Sequence, residues 1–188
     1  MIKYIFISLI LIVKEPCFSQ AFVSVQWSQH NPSLKSDTIY YDTQKKLNWK
    51  DFKGKPDAQN EATAITSSGF GYAAAMQYRN GKTSIEITVY CYFSKTNSWV
   101  KTESDYALNH EQHHFDVTYI ATNRFIQKLK NATFTRNNYD SLLEKIYRES
   151  CRELEKMQNE YDGQTRNGRM KNIQSDWNEK INKQLSLL

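Results

Sequence analysis

The sequence predicts an α+β protein, a small and mostly antiparallel sheet packed against three helices. Two observations carry this expectation. Apolar residues alternate on both sides of Asn80-Gly81, the signature of a hairpin closed by a two-residue turn. From about residue 104 the apolar period lengthens to three and four, and it holds with two breaks to the end of the chain.

The chain has 188 residues. Met1-Ile2-Lys3 is a short basic start, and Tyr4 to Val13 is a run of ten residues, apolar except for Ser8. Such a run is too short to cross a bilayer permanently, so residues 1–20 read as a secretory signal peptide cleaved near Gln20. Cys17 follows Glu15-Pro16, a poor lipidation box, which makes a lipoprotein the lesser reading. The expected location is therefore secreted or periplasmic, without stable membrane insertion. Residues 21–188 should form one domain large enough for a genuine core. The formal net charge is +5, and loss of Lys3, Lys14 and Glu15 leaves +4. These cations are scattered, whereas a nucleic-acid partner needs a concentrated basic stripe.

Thr38–Tyr41 and Leu47–Phe52 are short β-type runs, and Gly54-Lys-Pro-Asp57 opens a loop expected to reach Asn60. Ala64-Ile-Thr-Ser-Ser-Gly69 is small and polar, suited to an exposed edge or to close approach of another backbone. In the hairpin, Phe70, Tyr72, Ala74, Met76 and Tyr78 share one face. The return strand turns Ile85, Ile87, Val89, Cys91 and Phe93 inward.

Thr102-x-x-Asp105 resembles a capping box for a helix over about 104–130. A second helix is expected over 139–161, with Leu142, Leu143, Ile146, Cys151, Leu154, Met157 and Tyr161 on its stripe. Asp162–Gly168 reads as a break, and a last helix carries Met170, Ile173, Trp177, Ile181 and Leu185. Cys91 and Cys151 both fall on apolar sides, compatible with a disulfide or with two buried thiols.

The chemistry centres on His110-Glu111-Gln112-His113-His114. His-Glu-x-x-His on a helix stacks two imidazoles on one face and sets a carboxylate one residue round, the arrangement a zinc hydrolase uses. His113 could replace one partner, though the 110/114 pair leaves Glu111 better placed. A catalytic zinc takes three protein ligands and keeps one place for water. Glu160, Asp162 and Asn167, after the second helix, are the candidates for the third.

The order of several motifs resembles the DUF922 family, secreted bacterial proteins regarded as zinc-dependent proteases. The matching pieces are Leu47-Asn-Trp-Lys-Asp-Phe-Lys-Gly-Lys-Pro56, Thr66-Ser-Ser-Gly69, His110-Glu-Gln-His-His-Phe-Asp116, Tyr161-Asp-Gly-Gln-Thr-Arg-Asn-Gly168 and Gln174-x-x-Trp177-x-x-x-Ile181. The resemblance implies a minimal zincin-like fold with the histidine helix against the sheet. It also exposes a departure. The family stretch reads Tyr-Asp-x-Glu-Thr-x-His-Gly, and here Gln164 and Asn167 stand in the glutamate and histidine places. If that histidine is the third ligand, Asp162 or Glu160 must supply coordination instead.

The expected activity is hydrolysis of a peptide or protein substrate by a Zn²⁺-activated water. Glu111 is the general base, and Tyr161 is a candidate oxyanion donor, unless it is a core residue. The alternative is an envelope protein that keeps the fold, lacks turnover and binds a partner.

Overall fold

Strand β1 spans Phe22–Trp27, β2 Thr38–Tyr40, β3 Ala64–Ile65, β4 Ser68–Arg79, β5 Lys82–Ser94 and β6 Trp99–Val100. Helices α1 (Asp105–Asn131), α2 (Tyr139–Thr165) and α3 (Lys171–Leu185) follow. These elements come from a computed structural model that describes residues 20–30 and 37–188. The expected leader, residues 1–20, lies outside the described residues except for Gln20.

β5 is the spine of the sheet. β4 pairs with it antiparallel along its length through the Asn80-Gly81 turn, where both residues have positive φ (51° and 76°). Its other edge takes β1 in parallel and β2 antiparallel. The architecture is thus α+β as expected, with one parallel pairing. β1 was not expected, although Val23, Val25 and Trp27 alternate towards the core.

Ile85, Ile87, Val89, Cys91 and Phe93 are at most 1% exposed, and they meet Phe115, Phe125 and Leu129 of α1. Burying each large apolar side chain is worth about 1.5–3 kcal/mol. A one-residue slip would exchange that set for Glu86, Thr88 and Tyr90, so the register is firmly held. The hairpin outruns the helices at its tip: Met76 and Tyr78 are exposed, and Arg136 lies over the Tyr78 ring at 4.5 Å.

α1 is enclosed by the sheet on one side and by α2 and α3 on the other. Val117 and Ile120 pack with Tyr161, Trp177 and Ile181 in a second cluster. That is why polar residues 110–114 are all buried.

Three local expectations change, and one open alternative closes. Leu47–Phe52 is not a strand but a single 3₁₀ turn at Trp49–Asp51. Asn48 caps it, its backbone N–H bonding Asp51 and its side chain accepting from the Lys50 N–H, and these local bonds outcompete a ladder. The N-cap of α1 is Ser104, whose Oγ accepts from the Ala107 N–H at 3.1 Å, so Thr102 lies outside the helix. α2 runs past residue 161 to Thr165, because Gly163 only weakens a helix, and it stops at Arg166 in a left-handed conformation. Of the two readings open for Cys91 and Cys151 the structure has the thiols, both free, so no disulfide ties β5 to α2.

Gly54 shows why a loop residue can be irreplaceable. A Cβ there would stand 2.7 Å from the Thr96 carbonyl oxygen and 2.8 Å from that of Ser98, and its N–H donates to the latter at 2.7 Å.

Candidate metal centre

The four-residue spacing of His110 and His114 brings their Nε2 atoms to 3.2 Å from each other. Because α2 continues to Thr165, Asp162 sits on its last turn and not in a loop. Its Oδ1 lies 3.2 Å from His110 Nε2 and 3.0 Å from His114 Nε2. Three side chains from two helices thus converge on one point.

The direction of each hydrogen bond behind the rings fixes which nitrogen carries a proton. Gln158 Nε2 donates to the His114 backbone carbonyl at 2.9 Å, so its Oε1 faces His114 Nδ1 at 2.5 Å and must accept there. On the other side the Tyr161 hydroxyl donates to the His110 carbonyl at 3.3 Å and so accepts from Gln174 Nε2 at 2.5 Å. Gln174 Oε1 is then left to accept from His110 Nδ1 at 2.7 Å. Both imidazoles are Nδ1–H tautomers when neutral, with both Nε2 lone pairs aimed at the Asp162 carboxylate.

Three acceptors facing one another need a cation between them. Tetrahedral zinc with bonds of 2.0–2.1 Å holds its ligand atoms about 3.3 Å apart, close to the separations here. The donor set of two imidazoles and one carboxylate suits a first-row divalent metal, zinc and iron among them. Glu111 fits as well. It is buried and lines the same cleft, and its Oε2 has no hydrogen-bond partner among the described residues.

Without a metal, a proton takes the shared place. Burial pushes the His114 imidazolium down, but the Asp162 hydrogen bond and charge, with the Glu111 charge behind them, more than offset this and raise its pKa. Burial likewise pushes the Asp162 carboxyl up, and the hydrogen bonds from His110 and His114 reverse the sign, holding it well below the usual carboxylate range.

The other expected site residues lie elsewhere or turn away. His113 faces a separate hollow, shared with Lys46, Gln112 and Asp116; its Nδ1 donates to the Asn109 carbonyl at 2.6 Å, and it replaces neither partner. Glu160 is exposed and 3.8 Å from Lys156. Asn167 lines the cleft in a left-handed conformation, one residue before Gly168, whose Cβ, if it had one, would meet the His110 ring at 3.3 Å. For Tyr161 the sequence leaves an oxyanion donor or a core residue, and only the first would present its hydroxyl to substrate. The residue is fully buried, its ring stacked on His110 (4.7 Å between centroids) and edge-on to His114 (4.9 Å), its hydroxyl committed to Gln174 and the His110 carbonyl.

Gln158 and Gln174 back the two rings, a role that sequence reasoning gave to neither, although Gln174 stands in the terminal pattern. Gln174 did carry a signal, for it is a polar residue in register with Trp177 and Ile181 on the buried stripe of α3, and it is 1% exposed.

The cleft above the converging atoms encloses about 730 Å³. Its floor is α1, and one wall is the extended stretch Ala62–Ser68. Thr66 Oγ1 donates to the Glu111 carbonyl at 3.1 Å, tying that wall to the histidine helix. Compared with protein-family models, curated proteins and solved structures, the chain gives no match.

Proposed function

We propose that the chain is a secreted or periplasmic zinc-dependent peptidase of zincin-like build, with His110, His114 and Asp162 as ligands and Glu111 as general base. The observation that carries this reading is the convergence of two Nε2 lone pairs and one carboxylate oxygen within 3.2 Å, next to a buried carboxylate with a free oxygen. The resemblance to DUF922 points the same way, with Asp162 in the ligand role that Asn167 is poorly equipped to fill.

A bound zinc ion would acidify a water towards pKa ~7 and polarise the scissile carbonyl. Glu111 would take the proton from that water and pass it to the leaving amine. Gln158 and Gln174 hold the two rings in the ligating tautomer. The wall at Ala62–Ser68 gives an extended peptide a surface of small side chains to lie along.

The test is metal content and turnover of the purified mature chain. About one zinc per chain is expected, lost on His110→Ala, His114→Ala or Asp162→Ala. Glu111→Gln should keep the zinc and lose peptide hydrolysis. One observation favours the non-catalytic reading: the Tyr161 hydroxyl, turned away from the cleft, leaves that candidate oxyanion donor unused. Zinc held without hydrolysis of any peptide would decide for that second reading.

A further inference from the structure

The cleft is asymmetric in charge. The wall at Ala62–Ser68 is neutral, with Glu61 at its end. The lining at the junction of α2 and α3 carries Arg169 and Lys171, both exposed, and neither forms an ion pair among the described residues. Their placement is fixed rather than loose. The Tyr106 hydroxyl on α1 donates to the Gly168 carbonyl at 2.6 Å, clamping the loop that bears Arg169, and the Lys171 ammonium stands 5.7 Å from the Tyr106 ring centroid. Of the three acidic groups lining the cleft, Asp162 and Glu111 belong to the metal centre, where a divalent ion would balance them. The rim then has two cations, close together in sequence, against the single carboxylate of Glu61.

We infer that the cleft selects extended peptides that place a carboxylate against Arg169 and Lys171, with Arg169 as the main contact. This rests on the peptidase reading and names its substrate class. A guanidinium matches a carboxylate with two parallel N–H bonds, which an ammonium cannot do. Two isolated cations beside a peptide-width wall are too few for a nucleic-acid backbone, which needs a run of them. Exposed pairs are individually weak, so the expected preference is modest, about three- to tenfold, and it should fade with salt.

The experiment uses the mature, zinc-loaded protein with Glu111→Gln to stop turnover. Short labelled peptides differ only in Glu against Gln, scanned along the chain, and in a free or amidated C-terminus. Binding is read by fluorescence anisotropy at low and high salt. One carboxylate-bearing position should bind about three- to tenfold tighter than its neutral isostere at low salt, and the Arg169→Ala, Lys171→Ala double variant should abolish the gap. A gap that follows Glu in amidated peptides assigns the partner to an acidic side chain. One that follows only the free terminus assigns it to the C-terminal carboxylate. Equal affinity across the set, a gap that survives the double variant, or no peptide binding at all overturns the inference. Zinc content of the same sample separates the two levels: a protein without zinc sinks the metal reading, whereas one with zinc and no charge preference sinks only this one.

Discussion

Gln158 grips His114 twice, its amide nitrogen on the backbone carbonyl at 2.9 Å and its amide oxygen on ring Nδ1 at 2.5 Å. A neutral residue thereby does for this ring what a carboxylate often does in zinc proteins, and Gln174 does it for His110. Gln158→Ala and Gln174→Ala should each weaken zinc binding by about ten- to a hundredfold, the range for loss of such support. Nitrogen chemical shifts of the metal-free protein check the cause: both rings should be Nδ1–H when neutral, with that preference lost at the ring whose partner is removed.

Asp162 and Asn167 separate cleanly as ligand candidates. Asp162→Ala should remove stoichiometric zinc, while Asn167→Ala should leave zinc content unchanged, both measured on dialysed protein. Zinc retained in Asp162→Ala would show that the converging geometry is not the binding geometry.

Tyr161→Phe tests a reassignment. An oxyanion donor lost from an active site lowers turnover by about 10²–10³. Here the hydroxyl links Gln174 to the His110 carbonyl in the interior, so its removal should cost about 1–3 kcal/mol of stability and leave turnover within an order of magnitude. Denaturant unfolding beside peptide hydrolysis reads both quantities.

The pH dependence follows from the two opposed shifts. The raised His114 contributes stability to the metal-free fold in full below its unfolded value of 6.5, and loses it as pH rises through the raised folded value. The lowered Asp162 contributes in full above 3.8 and loses it as pH falls through its folded value. The pair therefore supports the metal-free fold most between 3.8 and 6.5. Zinc must displace the shared proton, so its affinity should start to fall at a pH above 6.5 as the solution is acidified. Melting temperatures with zinc and with chelator should diverge as pH rises from mildly acidic to mildly basic, and a constant gap would contradict the shared-proton description.

Gly168→Ala places a methyl group at φ 76° and 3.3 Å from the His110 ring. The left-handed conformation alone costs an L-residue about 1–2 kcal/mol. The variant should melt lower and bind zinc more weakly, whereas Gly163→Ala, with nothing within 4 Å and a helical position, should be slightly stabilising.

Much of this was legible in the chain. The hairpin was read from strict alternation along Ile85–Phe93 about an Asn-Gly turn, and α1 with its histidine pair from period and spacing, because these are local patterns that packing then reinforced. The end of α2 was misread, since Gly163 looks like punctuation while the true stop is the left-handed backbone of Arg166–Gly168, which Asn167-Gly168 announces and Arg166 does not. That error hid Asp162 among three candidates. The third member of the group depends on which face of α2 meets α1, 52 residues on from His110, and of the two glutamine supports Gln158 comes from that same helix while Gln174 comes from α3. Such pairings are tertiary, and a one-dimensional period does not carry them.

Gln174 belongs to α3, yet it steadies a ring on α1, 64 residues earlier in the chain. His110, His114 and Asp162 are complete once α1 and α2 have paired, but the hydrogen bond that fixes the His110 tautomer waits for α3 to dock. Orientation of that ring is therefore a late product of folding, and loosening α3 alone would free it.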